Sequence, residues 1–215
     1  MVESGGETRG STAWFWTVEI VDLGRSVAAL EDEVRALWAD TEANRTYIEA
    51  LRRGRDDVRR RRLSALRLLG HTLRDVGKDP RFESLARTEY GKPFLIDREG
   101  LLDVSLSHSD GYAACGVMLG SGRIGVDVEE YRRITDRQAG HMMERFFSEA
   151  ERAVTAPTAQ AFARTWTLRE AVCKLDGRGD PLRVDTSVLP DHLWRYACPL
   201  DGGFLTVAVD IGVNV

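Results

Sequence analysis

Residues 123–130, RIGVDVEE, constrain this chain more than any other stretch. Aliphatic residues alternate with other types, the pattern of a strand with one face in a core. Ile124, Val126 and Val128 fall on one side, and Asp127 and Glu129 share the other. A fold that buries the aliphatic side must hold two like charges side by side on the opposite face. A divalent cation is a common remedy. Hard carboxylate oxygens suit magnesium, which takes one or two carboxylates together with phosphate oxygens of a substrate. The plainer alternative is a solvent-facing acidic strand edge with no ligand.

The 215 residues suffice for one large unit or two small ones with a sizeable core. A net charge of −4 does not point to general nucleic-acid binding, although RRGRDDVRRRR at 52–62 is a local basic patch. No apolar run is long enough for a membrane span, and the N-terminus lacks the basic and apolar regions of a signal peptide. Cys115, Cys173 and Cys198 are widely spaced and lack metal-ligand spacing. They are expected to be reduced thiols in a cytoplasmic protein.

Around the central strand the expected organisation is α+β. Residues 1–11 are rich in Gly, Ser and Glu and are expected to form a mobile tail, followed by an N-terminal half over 12–121 and a C-terminal half over 122–215. AWFWTVEIV at 13–21 suits a strand. Apolar spacing predicts helices over 25–39 and from about Arg59 to Val76, with a polar stretch at 41–62. A turn is expected within EYGKPFL, 89–95, in a region that also contains Pro80 and Gly100. LDVSLSH (102–108) and YAACGVML (112–119) predict a hairpin. Helices are expected over Ile134 to Arg145, from Ser148 with its capping-box partner Glu151, and over 158–175. Strands are expected at Leu193–Ala197 and Phe204–Val209.

Glu170 and Lys174 are four apart on the predicted helix 158–175, so they share a face, which otherwise would carry an ordinary surface ion pair. Trp166 lies on the same side, implying that this face packs against something. On that reading Glu170 could supply a third carboxylate to Asp127 and Glu129, with Lys174 one turn away near a phosphate the cation holds; the alternative is the surface pair. Ser107 and His108 at a strand end offer phosphate donors; there is no nucleophile elbow to make them a hydrolase site. Tyr90, Gly91 and Lys92 set a lysine on a tight turn that a phosphate can approach closely.

In order, EYGKP (89–93), SLSHS (105–109), IGVDVE (124–129), RFFSEAE (145–151) and WTLREAVCKLDGRG (166–179) resemble the 4′-phosphopantetheinyl transferases of the larger, surfactin-synthetase-activating type. The resemblance covers residues 59–180 well. It implies two similar α+β halves related by a pseudo-twofold axis, with coenzyme A in the cleft between them. It implies Asp127, Glu129 and Glu170 as magnesium ligands, with manganese as a substitute, and Lys174 as a phosphate ligand. Lys92, Ser107 and His108 match coenzyme A contacts, and Arg61 or Arg62 falls near the 3′-phosphate. Arg169 stands where the family often has Lys; charge is kept. The implied activity is that of a holo-[acyl-carrier-protein] synthase. Phosphopantetheine would pass from coenzyme A to a serine of an apo acyl or peptidyl carrier protein, in fatty acid, polyketide or nonribosomal peptide synthesis. Glu170 is the first choice of base, with Glu129 or a water on the metal as alternatives.

A monomer is expected, with no nucleic-acid or membrane partner. Tyr131, Arg132 and Arg133, followed by Met142, Met143, Phe146 and Phe147, form a candidate docking surface for the carrier; the alternative is that 142–147 is core. Rival functions are a metal-dependent nuclease or phosphodiesterase, and a non-catalytic carrier-binding module.

Overall fold

The computed structural model describes residues 2–9, 12–96 and 102–211. Gly100 and the ends of the expected tail therefore lie outside the described residues. The strands are β1 (Val2–Arg9), β2 (Thr12–Ile20), β3 (Leu85–Arg87), β4 (Pro93–Leu95), β5 (Leu102–His108), β6 (Tyr112–Leu119), β7 (Arg123–Glu130), β8 (Leu193–Leu200) and β9 (Gly203–Asp210). The helices are α1 (Val27–Leu37), α2 (Glu42–Leu51), α3 (Asp56–Asp75), α4 (Asp136–Phe146), α5 (Glu149–Val154) and α6 (Ala159–Cys173). The fold is α+β. One antiparallel sheet has the order β1-β2-β6-β5, a second β7-β9-β8, and β3 pairs with β4. Helix α3 covers β5 and β6, and α6 covers β7 and β9. No helix among the described residues is long and apolar enough to cross a membrane.

The aliphatic face of β7 is in the core as expected: Ile124, Val126 and Val128 are fully buried against β2, β6 and β9. Its carboxylate face is also covered, by α6. Gly125 makes this approach possible, since a Cβ there would sit 1.9 Å from the Ala171 carbonyl oxygen of α6. The solvent-facing strand edge is thus excluded for Asp127, which is only 2% exposed.

Strands β5 and β7 belong to different sheets but lie side by side, running in the same direction. Side chains join them. Asp103 Oδ2 accepts from the Ile124 N–H (2.8 Å), Ser105 Oγ from Val126 (3.0 Å) and Ser107 Oγ from Val128 (3.3 Å). The alternating polar residues of LDVSLSH thus satisfy backbone donors that no strand pairs. This stitching sets Ser107 beside Asp127.

Two expectations are corrected, and a stretch that the sequence left unassigned forms a helix. Residues 2–9 are no mobile tail but an edge strand on β2, with Gly5 opposite Trp16 and Gly6 opposite Phe15. A Cβ on either glycine would collide with the facing aromatic ring, at 2.8 and 2.7 Å. The glycines that pointed to a mobile tail are therefore clearance for aromatic side chains. Within the polar stretch 41–62, helix α2 forms, capped by Thr41 and burying Asn44, Tyr47, Ile48 and Leu51 on one stripe. Finally, Met143 and Phe147 of the proposed docking surface are core residues. Met142 and Phe146 are partly buried against the same cluster, and Trp166 packs between Phe146 and Phe162.

Candidate active site

A cavity of about 640 Å³ is lined by β5, β7, the β3–β4 turn, α3 and the C-terminal end of α6. Arg62, Tyr90, Gly91, Lys92, Ser107, His108, Asp127, Glu129, Glu170 and Lys174 all line it, although they are spread over more than a hundred residues of chain. Arg61 does not. Its guanidinium is held by Asp110 and, at 3.3 Å, by Asp57. Of the two arginines left open by the sequence, Arg62 is the one on the cavity wall.

Asp127 is the centre of the arrangement. Its Oδ1 accepts from Lys174 Nζ at 2.6 Å and from the Ser107 hydroxyl at 2.8 Å. Its Oδ2 is buried with no hydrogen-bond partner among the described residues. Lys174 follows the last turn of α6 and so reaches across to β7, rather than forming the surface pair with Glu170 that helical spacing alone would give. Burial and the charge of Asp127, with a smaller push from Glu170, drive the Glu129 carboxyl up to about 8 against the pull of Lys174. Burial, then Asp127, also raises Glu170. Among the described residues no three His, Cys, Asp or Glu side chains already form a metal-holding cluster. The expected three-carboxylate set is brought to one cavity but is not preassembled, since like charges repel and an ammonium already sits on Asp127.

An unpartnered buried carboxylate oxygen and a neighbouring carboxyl that retains its proton to about pH 8 fit a site built for added positive charge. Asp127, Glu129 and Glu170 offer the hard oxygen donors magnesium prefers. A measurable consequence concerns the protein without divalent ions. Glu129 titrates near 8 in the folded chain and near 4.5 in the unfolded one, so between these values the folded state carries the extra proton. This proton is lost, and stability with it, as pH rises. Below about 6.5 this loss is offset by His108, which burial keeps neutral in the folded chain down to about 4, so the net fall in stability is expected between about pH 6.5 and 8, levelling off above. The loss should be on the order of 2 kcal/mol once screening at a partly exposed site is discounted. Urea denaturation across this range in chelator should show the slope, and Glu129→Gln should flatten it. An unchanged slope in that variant would assign it to other groups.

Lys92 needs a different account from that of a free phosphate ligand on a turn. Its ammonium is nearly buried, pairs with Asp103 at 2.7 Å and donates to the Leu175 carbonyl at 2.6 Å and, more weakly, to that of Ile124 at 3.4 Å. Burial lowers the pKa of Lys92 and raises that of Asp103, so desolvation outweighs their attraction. Lys92 ties the β3–β4 turn to β5, β7 and the end of α6. Lys92→Ala is expected to cost about 2 kcal/mol, less than a fully buried pair because Asp103 is partly exposed and keeps the Ile124 N–H. Thermal melting checks this; an unshifted midpoint would show that the buried pair does not hold the turn in place.

His108 borders the cavity. Burial, helped by the charges of Lys174 and Arg61, pushes its pKa down to about 4, so it meets a ligand as a neutral imidazole. Two cavity residues escaped the sequence reading. Arg87 lies over the ring of Tyr47 at 4.4 Å, and both line the cavity. Tyr47 belongs to the apolar stripe of α2, hidden in a polar stretch, whereas Arg87 ends the short strand β3 and had no such signal. The Cys173 thiol also borders the cavity, where burial raises its pKa to about 12 and leaves it protonated and unreactive. The basic patch at 52–62 is largely neutralised on the spot. Arg52 pairs with Glu31, Arg55 with Asp57 and Arg59 with Asp56, which weighs against a nucleic-acid track.

Residues 123–205 match the family model described as the 4′-phosphopantetheinyl transferase superfamily. That segment contains Asp127, Glu129, Glu170 and Lys174. A phosphopantetheinyl transferase of Thraustochytrium sp. is 30% identical over 173 residues, covering 66% of this chain and 58% of the relative. The chain thus spans less than two thirds of the length of that relative.

Proposed function

We propose that this protein is a 4′-phosphopantetheinyl transferase, moving the phosphopantetheine group of coenzyme A to a serine of an apo carrier protein and releasing 3′,5′-ADP. The observation that carries this reading is the single cavity in which Asp127, Glu129, Glu170 and Lys174 meet the cationic side chains Arg62 and Arg87. The similarity to the transferase family over 123–205 supports it independently. Support for the larger, surfactin-synthetase-activating type comes from the part of the chain before that segment. Tyr90 to Pro93 of EYGKP and Ser105 to His108 of SLSHS line the cavity, with Ser107 beside Asp127, and the two helix-backed sheets flanking it are consistent with a two-half architecture.

Coenzyme A is a polyanion with a pyrophosphate, and Arg62 and Arg87 are placed to attract it. His108 contributes a neutral N–H donor. Asp127, Glu129 and Glu170 would hold magnesium, which would neutralise charge developing on the pyrophosphate. The carrier serine oxygen forms a bond to the phosphorus that bears pantetheine, and the bond from that phosphorus to the bridging oxygen breaks, releasing 3′,5′-ADP. The serine proton goes to Glu170, whose raised pKa brings it nearer to that of an effective base. Glu129, raised likewise by burial and the charge of Asp127, is the alternative acceptor. Lys174 stabilises charge on the departing phosphate. Intact-mass spectrometry of apo fatty-acid, polyketide and peptidyl carriers incubated with the protein, magnesium and coenzyme A tests the proposal. One added phosphopantetheine on at least one carrier is the expected result; unmodified carriers throughout, beside a working control enzyme, would refute it.

A further inference from the structure

We propose that Lys174 is a built-in counter-cation for Asp127, which must release that carboxylate before a divalent cation can bind, so that metal and anionic substrate enter cooperatively. This rests on the transferase reading of the site. The ammonium of Lys174 lies on Asp127 Oδ1 and on the Ser107 hydroxyl, at 2.6 and 3.0 Å. Asp127 and Ser107 are fixed. Asp127 lies within β7 with 3% of its side chain exposed, and the Ser107 oxygen also holds the Val128 N–H. Lys174 is the partner able to move: its side chain is 29% exposed, at the open end of α6.

The lysine neutralises only one carboxylate oxygen and leaves Oδ2 buried with no hydrogen-bond partner among the described residues. A divalent ion bound to Asp127 would stand next to the ammonium, and two cations so close repel strongly at a site shielded from water. Lys174 and the metal therefore compete for one side chain. The ammonium can leave at low cost only if another anion in the same cavity receives it, and a diphosphate ester is such an anion. Metal alone should bind weakly. Metal and coenzyme A should tighten each other, by the same factor in both directions.

The test is a titration with Mn2+, its free concentration followed by electron paramagnetic resonance, with and without coenzyme A. In the parent protein coenzyme A should tighten Mn2+ at least about tenfold. Lys174→Met should bind Mn2+ alone at least about tenfold more tightly than the parent, and coenzyme A should then tighten Mn2+ by a clearly smaller factor than in the parent, the direct attraction of metal and pyrophosphate remaining. Lys174→Arg, still cationic, should behave like the parent. If Lys174→Met bound Mn2+ alone no better than the parent and kept the full coupling, the proposal would be overturned while the transferase reading stood. If the parent bound no Mn2+ even with coenzyme A and modified no carrier, the transferase reading would fail and the proposal with it. Should Lys174→Met not fold, Ser107→Ala removes one acceptor of the ammonium and should raise Mn2+ affinity about threefold; unchanged affinity there would count equally against the proposal.

Discussion

Asp127→Asn is expected to lower phosphopantetheinyl transfer by roughly 100- to 1,000-fold, the scale on which removal of a charge-stabilising group acts in other enzymes. The substitution keeps the shape of the side chain, so the aliphatic face of β7 and the contact of Gly125 with α6 are untouched. It removes the carboxylate that Lys174 and Ser107 both engage. Its effect on folding should be small, because opposing changes offset each other. Lys174 loses its ion pair but is partly exposed and keeps the Ser107 oxygen. In return, Glu129 and Glu170 lose a neighbouring charge that raises both their pKa values. A melting midpoint within about 4 °C of the parent is expected, the range that a change of 1 kcal/mol produces in a chain of this size. A folded Asp127→Asn protein with near-normal carrier modification would remove Asp127 from the site, and the mechanism with it.

How much of this was legible in the sequence depended on the range of the interactions. The face assignment of β7, the β5–β6 hairpin, the cap of α5 and the span of α6 all follow from local patterns, and the structure has them. Local patterning also placed Glu170 and Lys174 on one helix. It could not show that Lys174 reaches Asp127, 47 residues away. Lys92 looked like a turn residue because its partners, Asp103, Ile124 and Leu175, are distant in sequence. Gly5 and Gly6 looked like part of a mobile tail because their use depends on the rings across the strand pair. Residues 142–147 looked like a docking patch because a short apolar run does not reveal which side is covered. Phe147 stacks on Phe162, an element away. Arg132 and Arg133 remain exposed, although paired with Asp201 and Asp110.

Arg169 shows why conserving charge is not enough. Its side chain is 2% exposed and forms a two-pronged contact with the equally buried Glu151, donates to the Pro181 carbonyl at 3.0 Å, and lies 4.8 Å from the ring centre of Phe147. Glu151 in turn caps α5 and accepts from Thr186. One planar guanidinium thus joins α6 to α5 and to the segment after Gly179. Successive residues of a helix diverge by about 100°, so fixing Arg169 on this side turns its neighbour Glu170 toward the cavity. Arg169→Ala leaves a buried carboxylate without its cation and should cost about 3–5 kcal/mol, lowering the melting midpoint by roughly 10–15 °C. Arg169→Lys keeps the charge but loses the fork, the Pro181 contact and the stacking, and should cost about 1–2 kcal/mol. Transfer measured at a temperature where each variant is folded should fall in the same order, as α6 loosens and Glu170 loses its orientation. Melting of Arg169→Ala within 2 °C of the parent, or full activity of that variant, would show that the buried pair positions nothing; the intermediate behaviour of Arg169→Lys separates geometry from charge.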